Sequence, residues 1–334
     1  MTTRISTRAL TTFILTVGIL LVPGLLLTAI GHPQVATVAT MATISAMVPA
    51  LMASTRLTWL VVLVLVPASM VAITASASAW LAAALMAALA VLTGVTARVS
   101  AQGVVTMMPI SVIFLMATPP SDSSGMPVSA YAVGAVVAAA AVWAVVGVRL
   151  LQRLLKASPH APVRSMTLPW SRTLLYALML VLTLGIGGWF VVELQLQHGG
   201  AWFLMTFVLI LQPYAQDSSR RTLERVTGTV LGVALAMVVF GIFQEVPIVL
   251  YVLAVGSVTT ATILRYVLHH PYWQYVLFLT PTIIIMDGLG TSMSGTALSR
   301  LGFTLLAAAV ALAIEAALRP AFRRTARLNN EQKY

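Results

Sequence analysis

Among the ionisable residues in or beside apolar runs, four stand out: Arg225, Asp287, Arg300 and Glu315. A charge inside a membrane span is expensive, so each is a candidate for binding or coupling. Asp287 ends one apolar run and Arg300 begins the next, across the Gly-rich turn 288–295. Two chemistries fit this spacing. The two residues pair with each other, or Arg300 holds an anionic substrate while Asp287 takes up a proton. Glu315 precedes Arg319 by four residues, which puts both on one helix face and favours a structural ion pair. Glu315 is also a candidate proton carrier. Glu193 and Glu245 sit at outer helix ends, where solvation accounts for them.

Other chemistries lack their residues. There is no cysteine, hence no disulfide, thiolate metal site or cysteine nucleophile. Neither Lys156 nor Lys333 stands in a Gly-rich Gly-Lys-Ser/Thr context, which argues against ATP hydrolysis. His32, His160, His198, His269 and His270 lack metalloprotease spacing and fall in loops or at helix ends, so no metal and no cofactor is expected. The adjacent His269 and His270 read as a solvated link, with pH sensing as the alternative. No catalytic constellation supports an enzyme.

The segment around Arg225 is the most informative. A short apolar helix containing Trp202 ends at Gln212-Pro213-Tyr214. A polar turn with Arg220 and Arg221 follows, and then a helix carrying Arg225, Gly228 and Gly232. Small residues four apart let membrane helices approach closely. Arg225, Gln212, Tyr214 and Trp202 are candidate substrate contacts, with the arginines at a cytoplasmic mouth. The plainer reading is anchoring by positive charge plus packing glycines.

These residues need elements to position them, and the composition names the elements. Of 334 residues 60% are apolar and 8% charged, too little polar surface to cover a globule in water. A membrane helix needs roughly 20 apolar residues. Apolar runs lie at 10–30, 34–53, 57–75, 79–97, 103–118, 128–150, 170–192, 200–214, 223–243, 246–264, 273–287 and 296–318. The runs at 103–118, 200–214 and 273–287 are short enough to be tilted, broken or re-entrant. The first run, with Pro23, Gly24 and no small-residue cleavage site, reads as a span and not a signal peptide. With a cytoplasmic N-terminus, the inner segments collect nearly all the basic residues and the outer loops hold none, Arg300 being the exception. The net charge of +11 therefore reports topology and calls for no nucleic acid. Trp59, Trp170 and Trp273 open helices at the inner face, Trp80, Trp189 and Trp202 lie at the outer face, and Trp143 is expected to pack inside the bundle.

The chain also repeats itself. Thr7-Arg8 and Ser171-Arg172 precede apolar runs at an offset of 164. Pro49 and Pro213 share that offset, Arg98 and Arg265 stand 167 apart, Pro109 and Pro281 172 apart, and Arg149 and Arg319 170 apart. Six spans per half is an even number, so the halves have parallel orientation. Short or Pro-interrupted spans at matching positions mark a site near the repeat interface, or are simple kinks.

The run Trp202…Leu211-Gln212-Pro213, then Arg225-Val226-Thr227-Gly228-Thr229-Val230-Leu231-Gly232, resembles the fusaric acid resistance protein-like (FUSC) membrane domain. The aromatic acid exporter family and the plant malate-type anion channels look related to it. Arg300 and the apolar helix ending Arg319-Pro320 resemble that domain's final helix. The resemblance covers about 165–322 and is weak over 1–160. Many such exporters carry a large cytoplasmic domain; with only 151–169 joining the halves, this chain looks like a compact member.

The resulting expectation is an all-α polytopic membrane protein of about twelve transmembrane helices in two parallel six-helix repeats. Residues 1–150 form the first repeat, 151–169 a cytoplasmic linker, 170–320 the FUSC-like second repeat and 321–334 a basic cytoplasmic tail. The resemblance implies export of small, aromatic organic acids across a bacterial inner membrane. It also implies a periplasmic membrane-fusion partner, with a homo-oligomer as a further possibility. The proton gradient is the expected energy source, since no ATP motif is present. The alternatives are a passive organic-anion channel and a major-facilitator-type carrier. The second is disfavoured because the loop Ala53-Ser54-Thr55-Arg56-Leu57-Thr58 lacks that family's Gly-Asp-Arg-Gly-Arg-like pattern.

Overall fold

The computed structural model describes residues 7–99, 101–122, 125–154, 168–211, 215–262, 264, 270–288 and 293–331. Among them the regular structure is helical throughout, with a single isolated bridge between Ser121 and Pro127. The chain forms two compact units, Met1–Val208 and Leu209–Tyr334.

The first unit holds α1 (Thr7–Ala29), α2 (Ala36–Met52), α3 (Thr55–Ala75), α4 (Ala79–Thr96), α5 (Gln102–Val105), α6 (Met107–Ala117), α7 (Ala130–Leu154), α8 (Trp170–Glu193) and most of α9 (Gln197–Ile210). Serines start two of them. Ser54 accepts from Leu57 N and Ser78 from Leu81 N, each at 3.4 Å, satisfying donors that a helix start leaves open. Small residues bring α4 and α8 together in antiparallel contact: a Cβ on Gly94 would meet Ala177 Cβ at 2.5 Å, and one on Gly188 would meet Met86 Cγ at 2.9 Å. A second core joins α2, α3 and α7 through Ala46, Ala50, Val62, Ala141, Ala144 and Val148. Most buried hydroxyls of this unit have partners, Ser69 being an exception. Thr43, Thr93, Thr183 and Thr206 donate to carbonyls four residues back, and Ser45 and Ser111 bond each other at 2.6 Å between α2 and α6.

The second unit contains α10 (Ala215–Phe243), α11 (Pro247–Thr262), α12 (Tyr272–Gly288) and α13 (Met293–Glu331). α10 and α12 run parallel, because Gly228 lies against Trp273 and Val276 while Gly232 lies against Leu277 and Thr280. α11 runs antiparallel to α12: Ser257 donates to the Phe278 carbonyl at 2.6 Å and Thr282 to the Ala254 carbonyl at 2.9 Å. Val233, Ala236, Leu250, Ala254, Ile284, Ile285 and Ala297 close an apolar core among all four helices.

Among the described residues the apolar runs are helical. Six helices among the described residues are long and apolar enough to cross a bilayer: Thr55–Ala75, Ala79–Val99, Ala130–Leu154, Trp170–Glu193, Ser219–Phe243 and Gly295–Ile314. Their outer faces carry bare aliphatic side chains, such as Leu63 at 69% exposure, which only a lipid solvent tolerates in such number. The chain is a multi-pass helical membrane protein.

Several details differ from the sequence expectation. The fifth run is two helices, broken at Thr106; Pro109 sits in the first turn of α6, where a missing N–H costs nothing. α10 starts at Ala215, so the polar turn with Arg220 and Arg221 is helical and Arg225 lies well inside it. α13 continues past the apolar run at 296–318 to Glu331. Trp143 does not pack inside: it is 44% exposed, and its Nε1 donates to the Ile19 carbonyl at 2.9 Å. Trp202 is no interfacial anchor: it is 5% exposed and meets Phe114 edge-on at 4.9 Å.

A buried cationic site in the second unit

The interior faces of the second unit follow helical periodicity. On α10 the buried residues, among those described, are Thr222, Arg225, Gly228, Thr229, Gly232, Val233 and Ala236. On α12 they include Tyr272, Val276, Thr280 and Ile284, and on α13 Ala297, Arg300, Thr304, Ala307 and Ala311. This spacing defines a core stripe, normally apolar. Here the stripes carry two arginines, a tyrosine and several threonines. Among the described residues, the buried charged side chains are Arg225 and Arg300, each 1% exposed.

Arg225 Nη1 donates to the Tyr272 hydroxyl at 3.1 Å, linking α10 to α12. Arg221, one turn earlier, places its guanidinium 5.6 Å from the centre of the same ring, close enough for a cation–π attraction. Tyr272 also stacks on Tyr275, with centroids 6.0 Å apart. Gly228 and Gly232 make this proximity possible, since a Cβ at either would meet a backbone carbonyl of α12, Trp273 O at 2.5 Å or Leu277 O at 2.8 Å. Arg220 turns outward and pairs with Glu224 at 2.9 Å, a surface contact of small energetic weight.

Arg300 lies one turn along α13 from Ala297, which belongs to the apolar core with Val233 and Ile284. Val233 is eight residues from Arg225, or about 12 Å along α10 at helical rise. Arg300 is therefore packed inside the helix stack of the second unit.

Of the other residues singled out in the sequence, Trp202 belongs to the first unit, where its ring meets Phe114. Gln212 and Tyr214 lie outside the described residues, as do the side chains of Asp287 and Glu315, whose backbones are in α12 and α13. Sequence reasoning passed over Tyr272, Thr280 and Thr304. The signal was available: Tyr272, Val276 and Thr280 share one face at a spacing of four, as do Arg300 and Thr304. Which face was interior became visible only on packing.

Guanidinium groups keep their charge at any cellular pH, so each buried one needs polar or negative groups around it. Residues 171–314, which span this site, match the profile of the fusaric acid resistance protein-like family. This segment is similar to that family. The FUSC-like segment contains α10 to α12, most of α13, and both buried arginines. No curated relative and no solved structure matches the chain.

Proposed function

We propose that this FUSC-like protein is a transporter, not an enzyme, and that it exports small organic acids, aromatic ones included, from a bacterial cytoplasm across the inner membrane. The observation that carries this reading is the burial of Arg225 and Arg300 in apolar helices, since intramembrane charges mark substrate pathways. An anion entering the second unit would offset their desolvation. Twelve spans in two parallel repeats, with both termini inside, fit the helix order. α3 packs on α6 and α7 as α10 packs on α12 and α13, and α4 meets α6 as α11 meets α12. Asp287 and Glu315 are the proposed proton carriers, and a periplasmic membrane-fusion protein and a second copy are proposed partners.

Inverted vesicles test this. Uptake of labelled benzoate is expected to rise with an imposed proton gradient, and Arg225→Gln is expected to cut it at least about tenfold, as loss of a charged hydrogen-bonding partner would. Uptake indifferent to the gradient, and to Asp287→Asn with Glu315→Gln, overturns proton coupling. Unitary anion currents in planar bilayers overturn the carrier in favour of a channel.

A further inference from the structure

Arg225 has one group committed and one open. Nη1 is taken by the Tyr272 hydroxyl. Nε is buried and has no hydrogen-bond partner. One turn along the same stripe, the Thr229 hydroxyl is also buried and unpartnered. So is the Thr280 hydroxyl on α12, whose Cβ packs where Gly232 leaves room. Threonines buried inside the first unit, such as Thr43 and Thr183, return their hydroxyls to their own helix; Thr229 and Thr280 do not. Buried donors without partners are uncommon, because each has given up its hydrogen bonds to water.

One ligand chemistry answers this arrangement. A carboxylate offers two coplanar oxygens that accept in parallel from Nε–H and the neighbouring Nη2–H, the side-on fork of a guanidinium. A hydroxyl one turn away supplies a further donor to the same ligand. We propose that the Nε edge of Arg225 is a carboxylate subsite. Thr229 is its second donor, and Tyr272 is a positioning residue that occupies Nη1 and stops the guanidinium from rotating. The inference rests on the organic-anion reading above and states where, and by which edge, the anion is held. The subsite is shut in this structure, with Arg225 1% exposed, so loading requires the helices around it to open. A spherical anion such as chloride takes one point of the fork at a time, so the subsite discriminates against it.

The test is calorimetric titration of benzoate, acetate and chloride into the full-length protein in lipid nanodiscs. Wild type is expected to bind both carboxylates and to bind chloride at least about a hundredfold more weakly, a bidentate pair being preferred over a point contact. Arg225→Lys keeps the charge and loses the fork; benzoate affinity is expected to fall about tenfold or more and the gap to chloride to narrow. Thr229→Val and Tyr272→Phe are each expected to weaken benzoate about three- to tenfold, the value of one hydrogen bond. Thermal unfolding without ligand verifies that each variant is folded, and Thr229→Val, which changes no charge, serves if Arg225→Lys does not fold. Absence of benzoate binding in wild type overturns the subsite, as does wild-type affinity in both Arg225→Lys and Thr229→Val. Vesicles that transport benzoate with unchanged KM in these variants overturn the subsite and leave the exporter standing. Arg225-dependent binding without any transport overturns the exporter and leaves the subsite standing.

Discussion

Cations in this protein occupy two kinds of position, helix ends and helix cores. Arg149, on α7, donates to the Ala53 carbonyl at 3.1 Å and to Gln152 Oε1 at 3.0 Å. It thus caps the carbonyl end of α2, where positive charge is welcome. Arg98 lies 3.9 Å over the Trp170 ring and accepts the Leu168 N–H at its carbonyl. Both are structural anchors with visible partners in the first unit. Arg225 and Arg300 instead occupy core positions. Arg149→Ala is expected to lower stability by about 1–2 kcal/mol through the uncapped carbonyl. Benzoate transport per folded molecule should stay unchanged. Thermal unfolding and vesicle uptake measured on the same preparations check both halves of this expectation. Sequence alone separated neither class, since all four arginines flank or enter apolar runs.

At the scale of the helices, small residues decide who touches whom. Within α10 and α12 the contact leaves no room for a side chain at Gly228 or Gly232, the nearest obstacles being backbone carbonyls that cannot rotate away. Gly228→Leu is expected to cost at least about 1–3 kcal/mol by overpacking, and to separate Arg225 from Tyr272. Gly302, on α13, has open space where a methyl group would stand, with no atom within 4 Å. Gly302→Ala should therefore be neutral or stabilising by about 0.5–1 kcal/mol. Melting temperatures of the two variants in one detergent provide the comparison, and equal losses would refute the packing argument. The apolar runs were legible because a bilayer demands length and hydrophobicity together. The break at Thr106 was not, since Pro109 is the louder local signal yet sits where a helix accepts it.

For the molecule as a whole, the asymmetry of basic residues sets the expected orientation. The absence of cysteine makes it easy to test. Thr55 and Ala77 flank α3 at its two ends and are both exposed. Thr55→Cys should react with a membrane-impermeant maleimide only after the cells are opened, and Ala77→Cys in intact cells. Labelling of both from one side would refute a spanning α3, and the reverse pattern would invert the topology. The boundary between the compact units falls in the last turn of α9, after Val208, with α8 packed along α4 in the first unit.

The sequence by itself determined that this is a helical membrane protein, where its helices run, and which arginine-bearing segment is unusual. Those properties follow from composition and from short-range periodicity, which the bilayer enforces on every span separately. Only the tertiary structure decided that Arg225 and Arg300 face inward, that Tyr272 holds Arg225 by one nitrogen, and that Thr229 and Thr280 keep their hydroxyls open. A helix in lipid can turn either face to its neighbours at little cost in hydrophobic burial. The choice is made by glycines meeting carbonyls between α10 and α12, residues more than forty positions apart in the chain.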